Sequence, residues 1–83
     1  MAKIMLTVSV PAIGTAYDLR LPANIVVREL IPLIVNAIVE LSAGTYRPSG
    51  SEILCHEQFC ARVSSRQTLD DNGVRSGDRL FLL

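Results

Sequence analysis

The sequence predicts an α+β domain in which a mixed sheet of four to five strands packs against one main helix. Two alternating strand patterns begin the chain, one long amphipathic segment follows, and short apolar runs return near the end. The apolar faces of a sheet and a helix must be buried, and one helix lying across one sheet buries both. The length of 83 residues suits a single domain over residues 1–83.

The first two elements are predicted as the strands of one hairpin. Residues 3–10 alternate, with four apolar side chains on one face, Ile4, Leu6, Val8 and Val10. Residues 16–21 alternate in the same way, with Tyr17, Leu19 and Leu21 on one face. The stretch Pro11–Thr15 contains Pro and Gly, so it predicts the connecting turn.

The main helix is predicted over Val26–Leu41. Its apolar positions recur at helical spacing and form the face expected to pack on the sheet: Val27, Leu30, Ile34, Ala37, Ile38 and Leu41. Pro32 lies on the polar stripe and removes a backbone donor, so we expect a tight or distorted first turn. A membrane span needs about 20 mostly apolar residues, and this shorter segment carries two glutamates and an arginine, which argues against direct membrane insertion.

A loop and a second hairpin are predicted to follow the helix. The segment Ser42–Ser51 contains Gly44, Pro48 and Gly50 without any period, so it predicts a loop whose conformation the pattern does not define. Apolar runs at 53–55 and 59–63 predict two short strands, or one strand with an irregular partner.

The last predicted elements are a short turn of helix and a final strand. Thr68 and Asp71 have the spacing of a capping box around a turn of helix near Leu69–Asn72. Glycines at 73 and 77 permit turns, and residues 79–83 predict the last strand.

In the order and spacing of these motifs, the chain resembles the YukD/EsaB family of ubiquitin-like proteins. The resemblance is carried by Asp18-Leu19-Arg20-Leu21-Pro22, Val27-Arg28-Glu29-Leu30-Ile31-Pro32, Leu69, Gly73-Val74 and Gly77-Asp78-Arg79-Leu80. It implies a ubiquitin-like β-grasp fold and an accessory or regulatory role in bacterial type VII (ESX/WXG100) secretion. The implied partners are protein components of that machine. The implied location is the cytoplasm, or the cytoplasmic face of the membrane through a partner or a larger parent chain.

Two alternatives come with this resemblance. Similar domains form the cytoplasmic N-terminus of the large multi-spanning membrane component of the ESX machine, so the chain fits that role as well. Covalent tags and sulfur carriers share the architecture, but they need a flexible C-terminal diglycine. The sequence ends in Phe81-Leu82-Leu83, so we expect a module that binds without being conjugated.

Composition argues against several other classes of function. Eight basic and eight acidic residues balance, and the few aromatic residues are not interleaved with basic ones, so nucleic-acid binding is not expected. No Gly-rich phosphate loop opens a helix, which leaves nucleotide binding without support. We expect no cofactor. No signal-peptide pattern is present, so the two cysteines are expected to be reduced thiols in the cytoplasm.

The residue types that carry chemistry cluster at Cys55, His56 and Cys60. A structural zinc site generally has four ligands, and this spacing fits no common finger. A cysteine nucleophile with His56 as its base would also need an orienting group and an oxyanion pocket. A disulfide between the cysteines would not persist in a reducing cytoplasm. We therefore expect no metal site and no enzyme, with two small, buried or half-buried thiols on adjacent strands and with His56 and Glu57 in or near the turn.

The candidate partner-binding residues are Pro32, Val35, Val39, Arg75 and Arg79. On a helical projection the first three form a small apolar strip outside the arc that one sheet covers. The strip is expected to contact another protein or a second copy of the chain, giving a homodimer; the alternative is that the Ser42–Ser51 loop folds back and covers it. Arg75 and Arg79 add a small basic spot near the final strand.

Overall fold

The computed structural model describes residues 3–83 and has one five-stranded sheet with one long helix. The elements in chain order are β1 (Lys3–Val10), β2 (Thr15–Pro22), α1 (Val27–Leu41), β3 (Leu54–His56), β4 (Ala61–Arg62) and β5 (Arg79–Leu82). The strand order is β2-β1-β5-β3-β4, with β1 and β5 parallel and the other pairs antiparallel. The predicted mixed sheet with one main helix is confirmed.

The first hairpin has the predicted alternation. Lys3 pairs with Pro22 at one end and Val10 with Thr15 at the other. The residues that face the helix side are buried, namely Leu6, Val8, Val10, Leu19 and Leu21. The turn is a single 3₁₀ turn over Pro11–Ile13 that ends at Gly14, whose φ of 63° is the left-handed conformation that glycine adopts without strain.

The helix begins at Val27, and no side chain caps its start. Its first backbone donors instead bond a later segment, with the Val27 N–H on the Gln67 carbonyl at 2.9 Å and the Arg28 N–H on the Ser65 carbonyl at 3.0 Å. The first turn is tight, as expected, because the Glu29 N–H donates to the Val26 carbonyl three residues earlier at 2.9 Å. The helix then continues through Pro32.

One buried cluster joins the helix to the sheet. Val27, Leu30, Ile34 and Ile38 are fully buried in it, together with sheet residues such as Leu80. The expectation for Leu41 is wrong, since this last helical residue is 55% exposed. A helical period shows which direction a residue faces, but it does not show where the sheet beneath the helix ends.

The second hairpin is shorter than predicted. Cys55 pairs with Arg62 and His56 pairs with Ala61, so Phe59 lies in the turn and not in a strand. The predicted capping box is confirmed: the Asp71 N–H donates to Thr68 Oγ1 at 3.0 Å, and the Thr68 N–H donates to Asp71 Oδ2 at 3.5 Å. Residues 69–73 form a hydrogen-bonded turn that buries Leu69.

Candidate interaction surface

The apolar strip predicted on the helix is only partly exposed. Pro32 is exposed and Val39 is half-buried, but Val35 is 7% exposed and belongs to the buried cluster. The expectation that Val35 lies outside the covered arc is therefore wrong. The helical projection assumed that the sheet alone covers α1, whereas the chain after the helix supplies Tyr46 to the same cluster. The alternative, in which this loop folds back, agrees with the burial of Tyr46.

Hydrogen bonds hold the loop in this position. Tyr46 is 7% exposed, and its hydroxyl donates to Glu52 Oε2 at 2.9 Å. The Ser49 N–H donates to the same oxygen at 2.8 Å, and the Tyr46 N–H donates to Ser42 Oγ at 3.1 Å. Burial, with the hydrogen bond and charge of Glu52, raises the pKa of Tyr46 to about 12. Burial acts to raise the pKa of Glu52, but these hydrogen bonds outweigh it and the pKa is lowered.

A groove lies between α1, the loop and the segment that follows β4. Its volume is about 430 Å³. Pro32 and Val35, which are neighbours on the surface of α1, both lie along the helix wall of this groove. Five further lining residues have apolar side chains, namely Ile31, Pro48, Ile53, Leu54 and Val63. The charged lining residues are Arg28, Glu52 and Arg62. We call this site the α1 groove.

The two candidate arginines lie elsewhere. Arg75 and Arg79 are both exposed and neither lines the α1 groove. The Arg79 Nε atom forms an ion pair with Glu57 Oε2 at 3.2 Å, and both side chains are about half exposed. The exposure of Arg79 leaves it accessible to solvent, and an exposed ion pair of this kind contributes little to stability. The structure therefore does not bring the five candidate residues together into one patch.

His56 is buried at the end of β3, with 4% exposure, and both of its ring nitrogens have partners. Its Nε2 is 2.7 Å from Asp78 Oδ2. Its Nδ1 accepts hydrogen bonds from the backbone N–H groups of Gln58 and Phe59 at 3.1 and 3.4 Å. An accepting Nδ1 assigns the proton to Nε2, which then donates to Asp78. The Phe59 ring stacks on the imidazole with centroids 4.4 Å apart.

The aspartate partner is itself tied to a turn. Asp78 Oδ2 also accepts the Arg75 N–H at 2.9 Å. This bond, followed by the bond to His56, lowers the pKa of Asp78. The ionised carboxylate therefore links the turn before β5 to the turn between β3 and β4.

This arrangement bears on the chemistry proposed for Cys55, His56 and Cys60. Neither histidine nitrogen is left to deprotonate a thiol or to bind a metal ion. Cys55 is half-buried opposite Arg62, as expected. The expectation is wrong for Cys60, which is exposed and lies in the turn, with its Sγ donating to the Glu57 carbonyl at 3.5 Å. Within residues 3–83, no group of three His, Cys, Asp or Glu side chains has the geometry of a metal site.

Two features of the structure were missed from the sequence. The His56–Asp78 pair joins residues 22 positions apart and has no local signal. The α1 groove does have a local signal in the sequence, because Ile31, Val35 and Val39 extend the apolar arc of the helix beyond what one sheet covers. Such a wide arc indicates a second covering segment beside the sheet.

Comparison with known proteins identifies the family. Residues 5–82 match the family model described as WXG100 protein secretion system (Wss), protein YukD. The chain belongs to the YukD family. The resemblance predicted from the motifs is thereby confirmed over nearly the whole sequence. Comparison of this YukD-family chain with curated protein sequences gives no match.

Solved structures similar to this YukD-family chain are ubiquitin-like domains. The ubiquitin-like domain of the Mycobacterium tuberculosis type VII secretion protein EccD1 superposes with a TM-score of 0.80 at 24% identity, covering 100% of this chain and 99% of that one. The EccD5 ubiquitin-like domain from Mycobacterium xenopi gives 0.76 at 17% identity, covering 100% and 94%. A chain of an ESX-5 inner membrane complex gives 0.71 at 23% identity, covering 98% of this chain and 20% of that one. The predicted ubiquitin-like β-grasp fold is confirmed.

No helix within residues 3–83 has the length and hydropathy of a membrane span.

Proposed function

We propose that this protein is a non-catalytic interaction module that acts as an accessory or regulatory component of type VII secretion. The observation that carries the proposal is the YukD family match over residues 5–82. The proposed partners are protein components of the secretion machine, bound without covalent attachment. The proposed location is the cytoplasm, including the cytoplasmic face of the membrane when a partner holds the protein there.

A role without catalysis is supported by the geometry around the single histidine. A general base needs a ring nitrogen within hydrogen-bond reach of its substrate, and both nitrogens of His56 are already bonded inside the protein. The Cys60 thiol lies in an exposed turn without a cationic side chain bonded to it among residues 3–83.

Binding through the surface is supported by what the structure leaves open. Pro32 and Val35 line the α1 groove, which is the site we favour for a partner. Exposed Arg75 and Arg79 offer a second, smaller contact, because arginine is enriched at protein interfaces. Val39 is half-buried and packs against the core, so its contribution to a contact is expected to be small.

The proposal is tested in the bacterium that encodes the protein. The tagged protein is purified from detergent-solubilised membranes, bound proteins are identified by mass spectrometry, and WXG100 substrates are measured in the medium of a deletion strain. We expect secretion-machine components to copurify and substrate export to fall. Normal export in the deletion strain, together with recovery of no secretion component, would contradict the proposal.

A second role has a specific observation in its favour. The chain superposes on one fifth of the length of an ESX-5 inner membrane complex chain and on nearly all of the EccD1 domain. These residues would then be the cytoplasmic N-terminal ubiquitin-like domain of a multi-spanning membrane component. An antibody against this domain separates the roles: a cellular product with the mass of the 83 residues supports the accessory protein, and a much larger membrane-bound product supports the domain.

A covalent carrier is the remaining alternative from the sequence. Incubation of the protein with ATP and a cell extract, followed by intact-mass measurement, tests it directly. We expect an unchanged mass, whereas an adduct at Leu83 would replace the binding proposal with conjugation.

A further inference from the structure

The α1 groove has several apolar lining residues and is large enough to hold a ligand. Ile31, Val35, Ile53 and Val63 contribute apolar side chains to a space of about 430 Å³. Sites that bind ligands typically measure roughly 300–1,000 Å³ and are mostly apolar with a few placed polar groups. The groove therefore has the dimensions to accept a few side chains of another molecule.

Backbone hydrogen bonds join the walls of the groove. The Arg28 N–H donates to the Ser65 carbonyl at 3.0 Å, which ties the helix start to the segment after β4. The Val63 N–H donates to the Leu54 carbonyl at 2.8 Å, which ties that segment to β3. The loop wall is held by the two bonds that Glu52 accepts. A site whose walls are already fixed loses less conformational entropy when it binds.

The charge of the groove favours an acidic occupant. The chain as a whole has no net charge, but two arginines and one glutamate line the groove. The Glu52 carboxylate already accepts two hydrogen bonds from the loop, whereas Arg28 and Arg62 form no ion pair within residues 3–83. A guanidinium offers a fork of donors that matches a carboxylate, so an acidic side chain is the complementary group.

The backbone of the helix wall points to a peptide. In a helix the carbonyl of Arg28 would accept the N–H of residue 32, but Pro32 has no N–H to donate. Both residues line the groove, so the turn of helix that lacks this hydrogen bond lies along its wall. A polypeptide carries N–H donors at regular intervals, whereas a lipid headgroup or a nucleic-acid backbone does not.

We propose that the α1 groove binds a short peptide segment of a partner protein, one that places apolar side chains beside an acidic residue. The apolar side chains of the peptide pack on the apolar lining of the groove, and its carboxylate bonds Arg28 and Arg62. A backbone N–H of the peptide donates to the Arg28 carbonyl. The inference rests on the proposed function only in assigning the segment to a secretion component.

The test selects random twelve-residue peptides displayed on phage for binding to the wild-type protein. The most enriched peptides, called the winners, are then synthesised, and their affinity for the protein is measured by fluorescence anisotropy. We expect winners that combine an acidic residue with at least two apolar ones. The double variant Arg28→Glu/Arg62→Glu is expected to bind them at least about tenfold more weakly, since two charge-assisted hydrogen bonds are lost. It should prefer winners in which lysine replaces the acidic residue.

The matched control is Lys3→Glu/Arg20→Glu, which makes the same change in net charge at exposed positions of β1 and β2 outside the groove. Its affinity for the winners is expected to stay within about twofold of wild type, in keeping with screening between distant surface charges. If the double charge reversal lowers the melting temperature, the neutral variants Arg28→Gln and Arg62→Gln replace it. Each neutral variant is expected to weaken binding severalfold.

A separate variant tests whether the Arg28 carbonyl accepts a hydrogen bond from the peptide. Pro32→Ala supplies the missing helical donor to the Arg28 carbonyl, so the helix should become more stable while peptide binding weakens. Pro48→Ala removes the same side-chain atoms from the loop wall without changing the helix, and it controls for lost apolar contact. A greater loss of affinity in Pro32→Ala than in Pro48→Ala is the expected result; equal losses would remove the carbonyl from the proposal.

Three outcomes would overturn the inference. The first is that no peptide is enriched, and the second is that winners bind wild type and the double variant equally. The third is that the chain dimerises through the groove without enriching any peptide, which would make a second copy the occupant. If peptides bind as expected but no secretion component copurifies with wild type, the proposed function fails and the groove assignment stands. If secretion components copurify and the peptides do not bind selectively, the groove assignment alone fails.

Discussion

At the end of the β3–β4 hairpin every ring nitrogen of His56 has a partner, whereas the α1 groove leaves apolar side chains and two arginines open. The hairpin end holds the residue types from which catalytic and metal sites are built. Both ring nitrogens of His56 are nevertheless already bonded, one by Asp78 and the other by backbone N–H groups. The groove is lined mostly by ordinary apolar residues, yet it is where binding capacity remains. A histidine indicates a functional site only when at least one of its ring nitrogens is free to bond a substrate or a metal ion.

If the hairpin end is structural, Asp78→Ala should have the largest effect on stability. The change removes the acceptor for both the buried His56 Nε2–H and the Arg75 N–H. We expect the free energy of unfolding to fall by about 2–4 kcal/mol, since each unsatisfied donor costs about 1–3 kcal/mol. Urea denaturation measures this loss.

Asp18→Ala is the matched control for that measurement. Asp18 is an exposed carboxylate that accepts one hydrogen bond, from the Thr7 hydroxyl at 2.7 Å. Its removal should cost less than about 1 kcal/mol. Equal losses in the two variants would mean that the His56–Asp78 pair is no more structural than a surface contact.

The loop wall of the groove should be the next most sensitive feature. Tyr46→Phe removes the hydroxyl that bonds Glu52, and we expect a loss of about 1 kcal/mol at neutral pH. The pKa of Tyr46 is raised to about 12 from an ordinary value near 10. This group therefore contributes stability below about pH 10 that is lost as the pH rises toward 12.

Urea denaturation at neutral pH and at about pH 11 measures that alkaline loss. Wild type should lose more stability than Tyr46→Phe over this interval. Tyr17→Phe, at the half-buried tyrosine of β2, is the matched control and should keep the wild-type loss. If Tyr46→Phe and wild type decline in parallel, the hydroxyl does not hold the wall.

Acid pH should give the smallest of the three effects and probe both regions at once. The pKa of Asp78 is lowered by the Arg75 N–H and by His56, so its folded pKa lies below the ordinary value near 4. It contributes stability above that value, which is lost as the pH falls through the folded pKa. Asp78→Asn should therefore show a shallower loss of stability between about pH 5 and pH 3 than wild type.

Glu52→Gln provides the comparison on the groove side. The pKa of Glu52 is also lowered, so this variant removes a second contribution of the same sign. The double variant is expected to have the shallowest acid slope. A double variant that declines as steeply as wild type would show that other carboxylates determine the acid response.

Much of the fold follows from local patterns in the sequence. The alternation of Leu6 and Val8 and the helical spacing of Leu30, Ile34 and Ile38 are set by backbone geometry, so they predicted the buried faces correctly. The Thr68–Asp71 capping box was equally local, because both bonds join residues three positions apart.

The errors concern contacts that the spacing of neighbouring residues does not encode. Val35 was expected outside the covered arc, with a folded-back loop as the alternative, because the helical pattern does not show which segment covers that side of the helix; Tyr46 of the loop joins the same buried cluster. His56 was predicted in or near the turn, and it ends β3 directly before the turn. Its burial and its bond to Asp78 were not predicted, since Asp78 lies 22 positions later in the sequence. Phe59 was placed in a strand, but its ring stacks on His56 within the turn.

The parallel pairing of β1 with β5 has a consequence for how the chain folds. Met5 bonds the Ser76 hydroxyl 71 residues away through its N–H, and its carbonyl accepts the Gly77 N–H at 2.7 Å. Until residues 79–82 arrive, β1 has one unpaired edge and the core beneath the helix is incomplete. Closing so long a loop carries an entropic penalty before any contact is gained, so folding is expected to wait for β5. A nascent chain that has not yet reached Arg79 would expose strand edges and would depend on protection from aggregation.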